Sequence, residues 1–306
     1  MSAAVRVRVP ATSANLGPGF DCLGLALDLW NEAEFRLEGE RLEISIEGEG
    51  AGRLPTDRTN TIAYGFRHFL RARKLPEPPG LKIISRNQIP TSSGLGSSAS
   101  ALLLGCLAAN FFCGSPASLP DLLGLTADIE GHADNAAAGL YGGLVVTFHD
   151  ERGWLVRQHP LPDITVALAI PAVYLPTHVA RQALPLRIPR EDAIFNLART
   201  PVVVEALQTG DLALLGRAVE DRLHQPYRLK LIPGAQEAFA AAKSAGAPAV
   251  ALSGAGPGLI AFVEQDGQAV ADAMARAFEQ AGSSVRTLLL KSTNQGAQVV
   301  ETTPGA

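Results

Sequence analysis

The sequence predicts a two-domain α+β protein, and three observations carry that reading. Short alternating or β-branched runs that suit strands are interleaved with longer stretches of helical spacing. The chain has 306 residues, more than one hydrophobic core usually organises. Near residue 160 the composition changes, where HPLPD precedes a fresh apolar run. The boundary is therefore expected there, giving domains at 1–161 and 162–306.

In chain order, residues 5–9 (VRVRV) alternate strictly, as a half-buried strand should, and the strand is expected to end at Pro10. Residues 42–47 (LEISIE) alternate in the same way and run into the turn-rich GEGAGRLP. Between Thr59 and Arg73 the apolar residues Ile62, Ala63, Phe66, Phe69 and Leu70 recur at helical spacing, with Asp57 or Thr59 as the expected N-cap. Residues 81–85 form a strand that leads into a glycine and serine loop and then an apolar helix over 101–109. Leu119-Pro120-Asp121 opens another helix, which runs to Glu130. Residues 131–143 read as a glycine and alanine loop carrying His132, Asp134 and Asn135, and 144–148 as a strand. In the second half a strand at 164–170 precedes helices at 192–207, 211–224 and 233–245. A hairpin of 249–253 and 259–263, a helix at 268–280 and a strand at 285–290 then complete a βαβ-type sandwich with helices on one face.

Composition excludes several function classes. A hydrophobic fraction of 47% with 18% charged residues is ordinary for a soluble domain. The net charge of −4 argues against a nucleic-acid partner, because affinity for a phosphate backbone comes from a basic surface. No uncharged apolar run reaches membrane-spanning length and no cationic leader opens the chain, so no membrane partner and a cytoplasmic location are expected. Cys22, Cys106 and Cys113 show no metal-ligand spacing, cannot complete a disulfide set, and read as small buried apolar residues.

The chemistry begins at residues 90–100, PTSSGLGSSAS, a loop that feeds straight into a helix. First-turn N–H groups lack intrahelical partners and sit at the positive end of the helix dipole, so a loop of this kind wraps an anion such as phosphate. A Walker loop would carry Lys-Ser/Thr after its last glycine. Here Gly96 is followed by Ser97-Ser98-Ala99, and no lysine occurs between Lys82 and Lys230. Charge on a bound phosphate must then be met by backbone amides, hydroxyls and a metal ion. Two further glycine-rich segments accompany the loop: PATSANLGPGFD at 10–21 and SGAGPG at 253–258. Each alone is an ordinary turn signal.

Together, in this order and spacing, the three segments resemble the signature motifs of the GHMP kinases, the family of galactokinase, homoserine kinase, mevalonate kinase and phosphomevalonate kinase. The resemblance spans essentially the whole chain. It is closest to the homoserine-kinase form in PATSANLGPGFD, in EGHADN at 130–135 followed by LYGG, in the stretch with Thr177, Arg181 and LP, and in QPYR at 225–228 followed by LIPG. It departs slightly, with Ser100 and Ala136 where other members often have different small residues. The resemblance implies a ribosomal-protein-S5-like N-terminal α/β domain, a ferredoxin-like C-terminal αβ sandwich, and ATP with Mg2+ as cofactors. It also implies the small molecule L-homoserine as substrate and is compatible with a homodimer. A mevalonate-type kinase and a catalytically silent ligand-binding relative are the competing readings.

On this resemblance, Pro90, Thr91, Ser92, Ser93, Gly94, Leu95, Gly96, Ser97, Ser98, Ala99 and Ser100 form the nucleotide loop. Asn60 approaches the adenine or serves the start of a helix. Ser98 and Glu130 hold the metal, since Mg2+ prefers hard oxygens and takes few protein ligands beside phosphates. A solvated helix-end carboxylate for Glu130, and N-capping by Ser97 or Ser98, are the plainer alternatives. Arg181 and Arg228 suit the substrate carboxylate, because planar guanidinium groups bind it in bidentate fashion. Asp21 is the counter-charge for the ammonium, and Asn15, His132 and Thr177 offer further polar contacts. For the acceptor hydroxyl, Asn135 orients it with Asp134 in support, against the alternative of Asp134 as a base. A loose phosphoryl-transfer transition state asks little of a base.

Overall fold

A computed structural model of the chain describes residues 4–114 and 117–302, and it contains two sheets. The first sheet has seven strands: β1 (Ala4–Ala14), β2 (Leu23–Arg36), β3 (Leu42–Gly48), β4 (Leu81–Asn87), β5 (Leu144–Asp150), β6 (Gly153–His159) and β11 (Gln298–Thr302). Its main path runs β11-β1-β2-β4-β3, with β5 pairing to β2 and β6. Every pairing is antiparallel except β3 with β4, which the helix α1 (Thr61–Ala72) connects as a crossover. α1 packs against α2 (Ser97–Phe112), and with α3 (Leu119–Glu130) and α4 (Asp134–Tyr141) they enclose one core with β1, β2 and β4. α2 buries almost its whole circumference, which is why its sequence is apolar all round rather than striped.

The second sheet is wholly antiparallel, in the order β10 (Val285–Lys291), β7 (Thr165–Pro171), β9 (Leu259–Val263), β8 (Ala249–Leu252). Alternate residues of β7 point into different cores. Ala167 and Ala169 meet α9 (Ala235–Ser244) and α10 (Gly267–Gln280), while Val166 and Leu168 meet α6 (Arg190–Thr209), α7 (Leu212–Ala218) and Leu23, Leu25 and Leu27 of β2. The expectation of helices on one face alone is thus corrected, since both faces are covered.

Other expectations are corrected as well. β1 does not stop at Pro10. Its register with β2 shifts between Pro10 and Ala11, and such an irregularity accommodates a residue with no N–H to give to the ladder. The cap of α1 is Asn60, whose Oδ1 accepts from the N–H groups of Ile62 and Ala63, so neither Asp57 nor Thr59 fills that place. Residues 134–141, read as loop, are the helix α4. The helix expected over 211–224 ends at Ala218, and a single turn, α8 (Gln225–Arg228), follows only after a break. The three cysteines are free, and burial pushes the thiols of Cys22 and Cys106 up to about 11 and about 12. Among the described residues, no helix is long and apolar enough to cross a membrane.

Candidate active site

The three glycine segments interlock. Thr12 N–H donates to the Leu95 carbonyl at 3.1 Å and Gly254 N–H to the Ala14 carbonyl at 3.1 Å. Ser253 Oγ donates to the Gly94 carbonyl at 2.8 Å, which leaves Ser13 Oγ to donate to Ser253 Oγ at 2.9 Å. Two loop glycines are required by this closeness and by positive φ. A Cβ on Gly94 (φ +81°) would fall 2.2 Å from the Ser253 carbonyl oxygen, and one on Gly96 (φ +67°) would fall 2.0 Å from Thr12 Oγ1. The third segment therefore does lie against the phosphate loop.

Gly96 is also the N-cap of α2, and no side chain caps that end. Ser97 and Ser98 are thus corrected as capping residues, and the first-turn N–H groups face the cleft without a side-chain acceptor. Ser98 Oγ instead donates to Glu130 Oε1 at 2.5 Å, at the C-terminal end of α3. Of the predicted nucleotide residues, Thr91, Ser92, Ser97 and Ser98 line a hollow of about 190 Å3 together with Asn31, Asn60 and Asn87. Asn60 contributes its side chain to that wall while its polar atoms serve the α1 cap and the Pro55 carbonyl. Ser92, Ser93, Gly94, Gly96, Ser97, Ser98 and Ala99 line the neighbouring cleft. Pro90, Leu95 and Ser100 are buried, and Pro90 supports the loop by accepting from Ser93 Oγ at 2.7 Å.

That neighbouring cleft, of about 210 Å3, also collects Asn15, Asp21, Glu130, His132, Asp134, Asn135, Thr177, Arg181 and Arg228, so every predicted substrate residue reaches it. Arg181, on α5 (Thr177–Gln182), forms a two-pronged pair with Asp21 at 2.7 and 2.8 Å. The residues chosen for carboxylate and ammonium thus hold each other, and the hydrogen bond to Asp21 raises the Arg181 pKa. Asn15 (φ +71°) accepts from Asp21 N–H at 2.9 Å and donates to the Gly254 carbonyl at 2.8 Å, locking the first segment to the third.

Arg228 differs in kind. It is 1% exposed, and its hydrogen bonds, to the Ala180 carbonyl, His224 Nδ1 and the Gly254 carbonyl, are long at 3.3, 3.3 and 3.4 Å. Burial and the nearby Arg181 cation push its pKa down to about 10, so it remains charged at neutral pH. A buried cation without a close anion is a place where a carboxylate gains strongly. His224 lies behind it: the Gly17 carbonyl, which only accepts, fixes the proton on Nε2 at 2.8 Å and leaves Nδ1 to accept from Arg228. His224 was not foreseen, because the carbonyl that fixes its tautomer, that of Gly17, is 207 positions away.

In the same cleft, Asp134 is buried at the start of α4. Its Oδ1 accepts from Asn135 N–H at 2.8 Å and pairs with His132 Nδ1 at 2.8 Å. Burial lowers the His132 pKa, but the Asp134 hydrogen bond and the charges of Asp134 and Glu130 outweigh it, so the net shift is upward. Asn135 Oδ1 accepts from Thr12 Oγ1 at 2.9 Å, a contact the sequence reading did not include. Among the described residues no cluster of three His, Cys, Asp or Glu side chains is set to hold a metal. Ser98 and Glu130 are a pair of hard oxygen donors beside the amide cradle, a set that fits an ion completed by phosphate oxygens and water.

Comparison with known proteins places the chain among relatives of one family. Residues 60–143 match the model of the GHMP kinases N terminal domain, and residues 203–280 that of the GHMP kinases C terminal domain. The chain is 45% identical over 295 residues to a homoserine kinase of Moorella thermoacetica, covering 96% of this chain and 99% of that one. It is 43% identical over 298 residues to a homoserine kinase of a Synechococcus species, covering 95% and 94%. Among solved structures it is similar to a homoserine kinase from Cytophaga hutchinsonii, with a TM-score of 0.85, 32% identity and 98% of both chains covered.

Proposed function

Since the chain belongs to the GHMP kinases, within them to the homoserine kinases, we propose that its cleft transfers the γ-phosphoryl group of ATP to the side-chain hydroxyl of L-homoserine, a step of threonine biosynthesis. The observation that carries the assignment of acceptor is the pairing of a bidentate Arg181–Asp21 unit with the buried, weakly bonded Arg228 in one cleft with the amide loop. A zwitterion matches that set: its carboxylate meets Arg228 and Arg181, and its ammonium meets Asp21. Thr177, His132 and Asn15 complete the polar wall.

On the donor side, the N–H groups of Gly94, Gly96, Ser97 and Ser98 hold the phosphates, while that of Leu95 is taken by Ser93 Oγ at 3.3 Å. Ser98 and Glu130 would hold Mg2+, which supplies charge neutralisation at the phosphate oxygens. Asn135 orients the acceptor hydroxyl, while Asp134 fixes Asn135 and His132 through its Oδ1. Proximity and preorganised donors supply the rate enhancement, as phosphoryl transfer with a loose transition state requires. We also propose a division of the chain at 161/162, supported by its passage from β6 of one sheet to β7 of the other, with β11 returning to the first sheet. A cytoplasmic location accords with three unpaired cysteines, and light scattering tests a homodimer.

The deciding assay is ATP consumption with homoserine, mevalonate, galactose and shikimate offered in parallel. Homoserine is expected to be the best acceptor. A better acceptor among the others would refute the substrate assignment, and ATP binding without turnover of any would favour a silent relative.

A further inference from the structure

Thr12 sits between the glycine loop and Asn135. Its backbone N–H is tied to Leu95 of the phosphate loop at 3.1 Å, and its hydroxyl, 2% exposed as a residue, donates to Asn135 Oδ1 at 2.9 Å. Gly96 lies so close that a Cβ there would come within 2.0 Å of Thr12 Oγ1 and 3.0 Å of Asn135 Oδ1. The hydroxyl is therefore packed between the loop that holds the donor and the amide that faces the acceptor.

We propose that Thr12 is a positioning residue for phosphoryl transfer, fixing the Asn135 amide so that it presents its NH2 group, not its oxygen, to the acceptor hydroxyl. Two neighbours select this orientation from opposite sides. Thr12 Oγ1 donates to the amide oxygen, and the Asp134 carboxylate lies 3.4 Å from the amide nitrogen. Turning the amide over would bring its oxygen against the Asp134 oxygen, acceptor against acceptor. With Nδ2 facing the cleft, one of its hydrogens is available for the acceptor oxygen. A lone pair of that oxygen is then directed at Pγ while the hydroxyl hydrogen points away from Asn135, which offers it no acceptor. The acceptor O–Pγ bond forms as the bond from Pγ to the bridging oxygen breaks and ADP leaves, and the hydroxyl proton passes to the transferred phosphoryl group.

The inference rests on the reading that Asn135 orients the acceptor, and the experiment separates the two. Steady-state kinetics are measured for Thr12→Val, Thr12→Ala, Thr12→Ser, Asn135→Ala and the Thr12→Val/Asn135→Ala pair. Both variants lacking the hydroxyl should lose roughly 10- to 100-fold in kcat with little change in KM for homoserine or ATP, the cost expected of a misaimed reacting group. Thr12→Ser, which keeps the hydroxyl, should return kcat to within about threefold of the parent, and the double variant should be no slower than Asn135→Ala, because residues acting as a unit are not additive. The proposal is overturned if Thr12→Ala or Thr12→Val turns over at the parent rate, if Thr12→Ser is no better than Thr12→Ala, or if the double variant shows the product of the single losses. Parent-like turnover by Asn135→Ala with a slow Thr12→Ala would instead sink the Asn135 reading.

Discussion

On the proposed function, the two ends of the cleft would recognise their ligands by different means. Apart from Glu130, the donor end is built from neutral residues, and its main working groups are backbone amides at Gly94 and Gly96 and at the uncapped start of α2. The acceptor end is built from charged side chains: Asp21, Arg181 and Arg228, with His132 and Asp134 beside them. Backbone donors cannot be mutated away, so the donor end is vulnerable to shape. Side-chain charges can be removed one at a time, so the acceptor end is vulnerable to chemistry. Damage at the donor end should therefore fall on turnover with any acceptor, and damage at the acceptor end on homoserine selectively.

The largest expected effect tests the first half of that contrast. Gly96→Ala places a methyl group on Thr12 Oγ1 and in a left-handed backbone conformation, so the loop must move. We expect a loss of about 100-fold or more in kcat/KM for ATP, the scale that a displacement of about 1 Å produces. A variant within about threefold of the parent would show that the loop tolerates displacement and that the amides do not set the geometry.

Next in size is Arg228→Met, which keeps an unbranched apolar stem reaching to about the position of Nε and removes the charge. The KM for homoserine should rise by roughly 10- to 100-fold, matching the loss of about 1.5–3 kcal/mol for a charge-assisted contact. The KM for ATP should stay where it was. The free protein should hold its thermal midpoint, because a buried cation with only long hydrogen bonds contributes little to the fold. An equal rise in both KM values would erase the distinction between the ends. Asp134→Asn is expected to be milder, about tenfold in kcat, as befits a residue that positions Asn135 and His132. A loss of many orders of magnitude with normal homoserine binding would make Asp134 a base.

How much of this was legible in the sequence follows the same division. The donor loop could be read directly, because glycine spacing and the start of a helix are local facts. The acceptor residues could be named from their motifs, but their mutual arrangement could not. Asp21 and Arg181 pair across 160 positions, and His224 reaches Gly17 across 207. The fold shows a related pattern. β3 and the C-terminal hairpin were visible because one alternates and the other is bounded by glycines. β2 was missed because its first half is buried on both faces and does not alternate. α4 was missed because it is only eight residues long, half of them alanine or glycine, with no side-chain cap, so nothing local distinguishes it from a loop. It is held as a helix by packing against β1, β2 and β5.

The smallest effect sharpens the comparison through pH. Burial, together with the Arg228 cation, lowers the His224 pKa below its ordinary 6.5, against the pull of Asp221, the Gly17 carbonyl and Asp21. The folded protein therefore resists a proton that the unfolded chain accepts at 6.5, so the unfolded state binds more protons in the window below that value. Stability from this group is fully present above pH 6.5 and is lost as pH falls through the lowered folded value. The thermal midpoint should accordingly decline on acidification, and His224→Gln, which cannot titrate, should flatten that part of the decline. In Arg228→Met the neighbouring cation is gone, His224 is less resistant to protonation, and its folded pKa moves back toward 6.5, so the acid loss attributable to His224 should shrink. Gly96→Ala, whose added methyl meets Thr12 and Asn135 but neither His224 nor Arg228, should leave that limb of the curve unmoved. An acid limb that shifts with Gly96→Ala and not with Arg228→Met would mean that the titrating group belongs to the phosphate loop's surroundings, and the division between a backbone-built end and a charge-built end would fail.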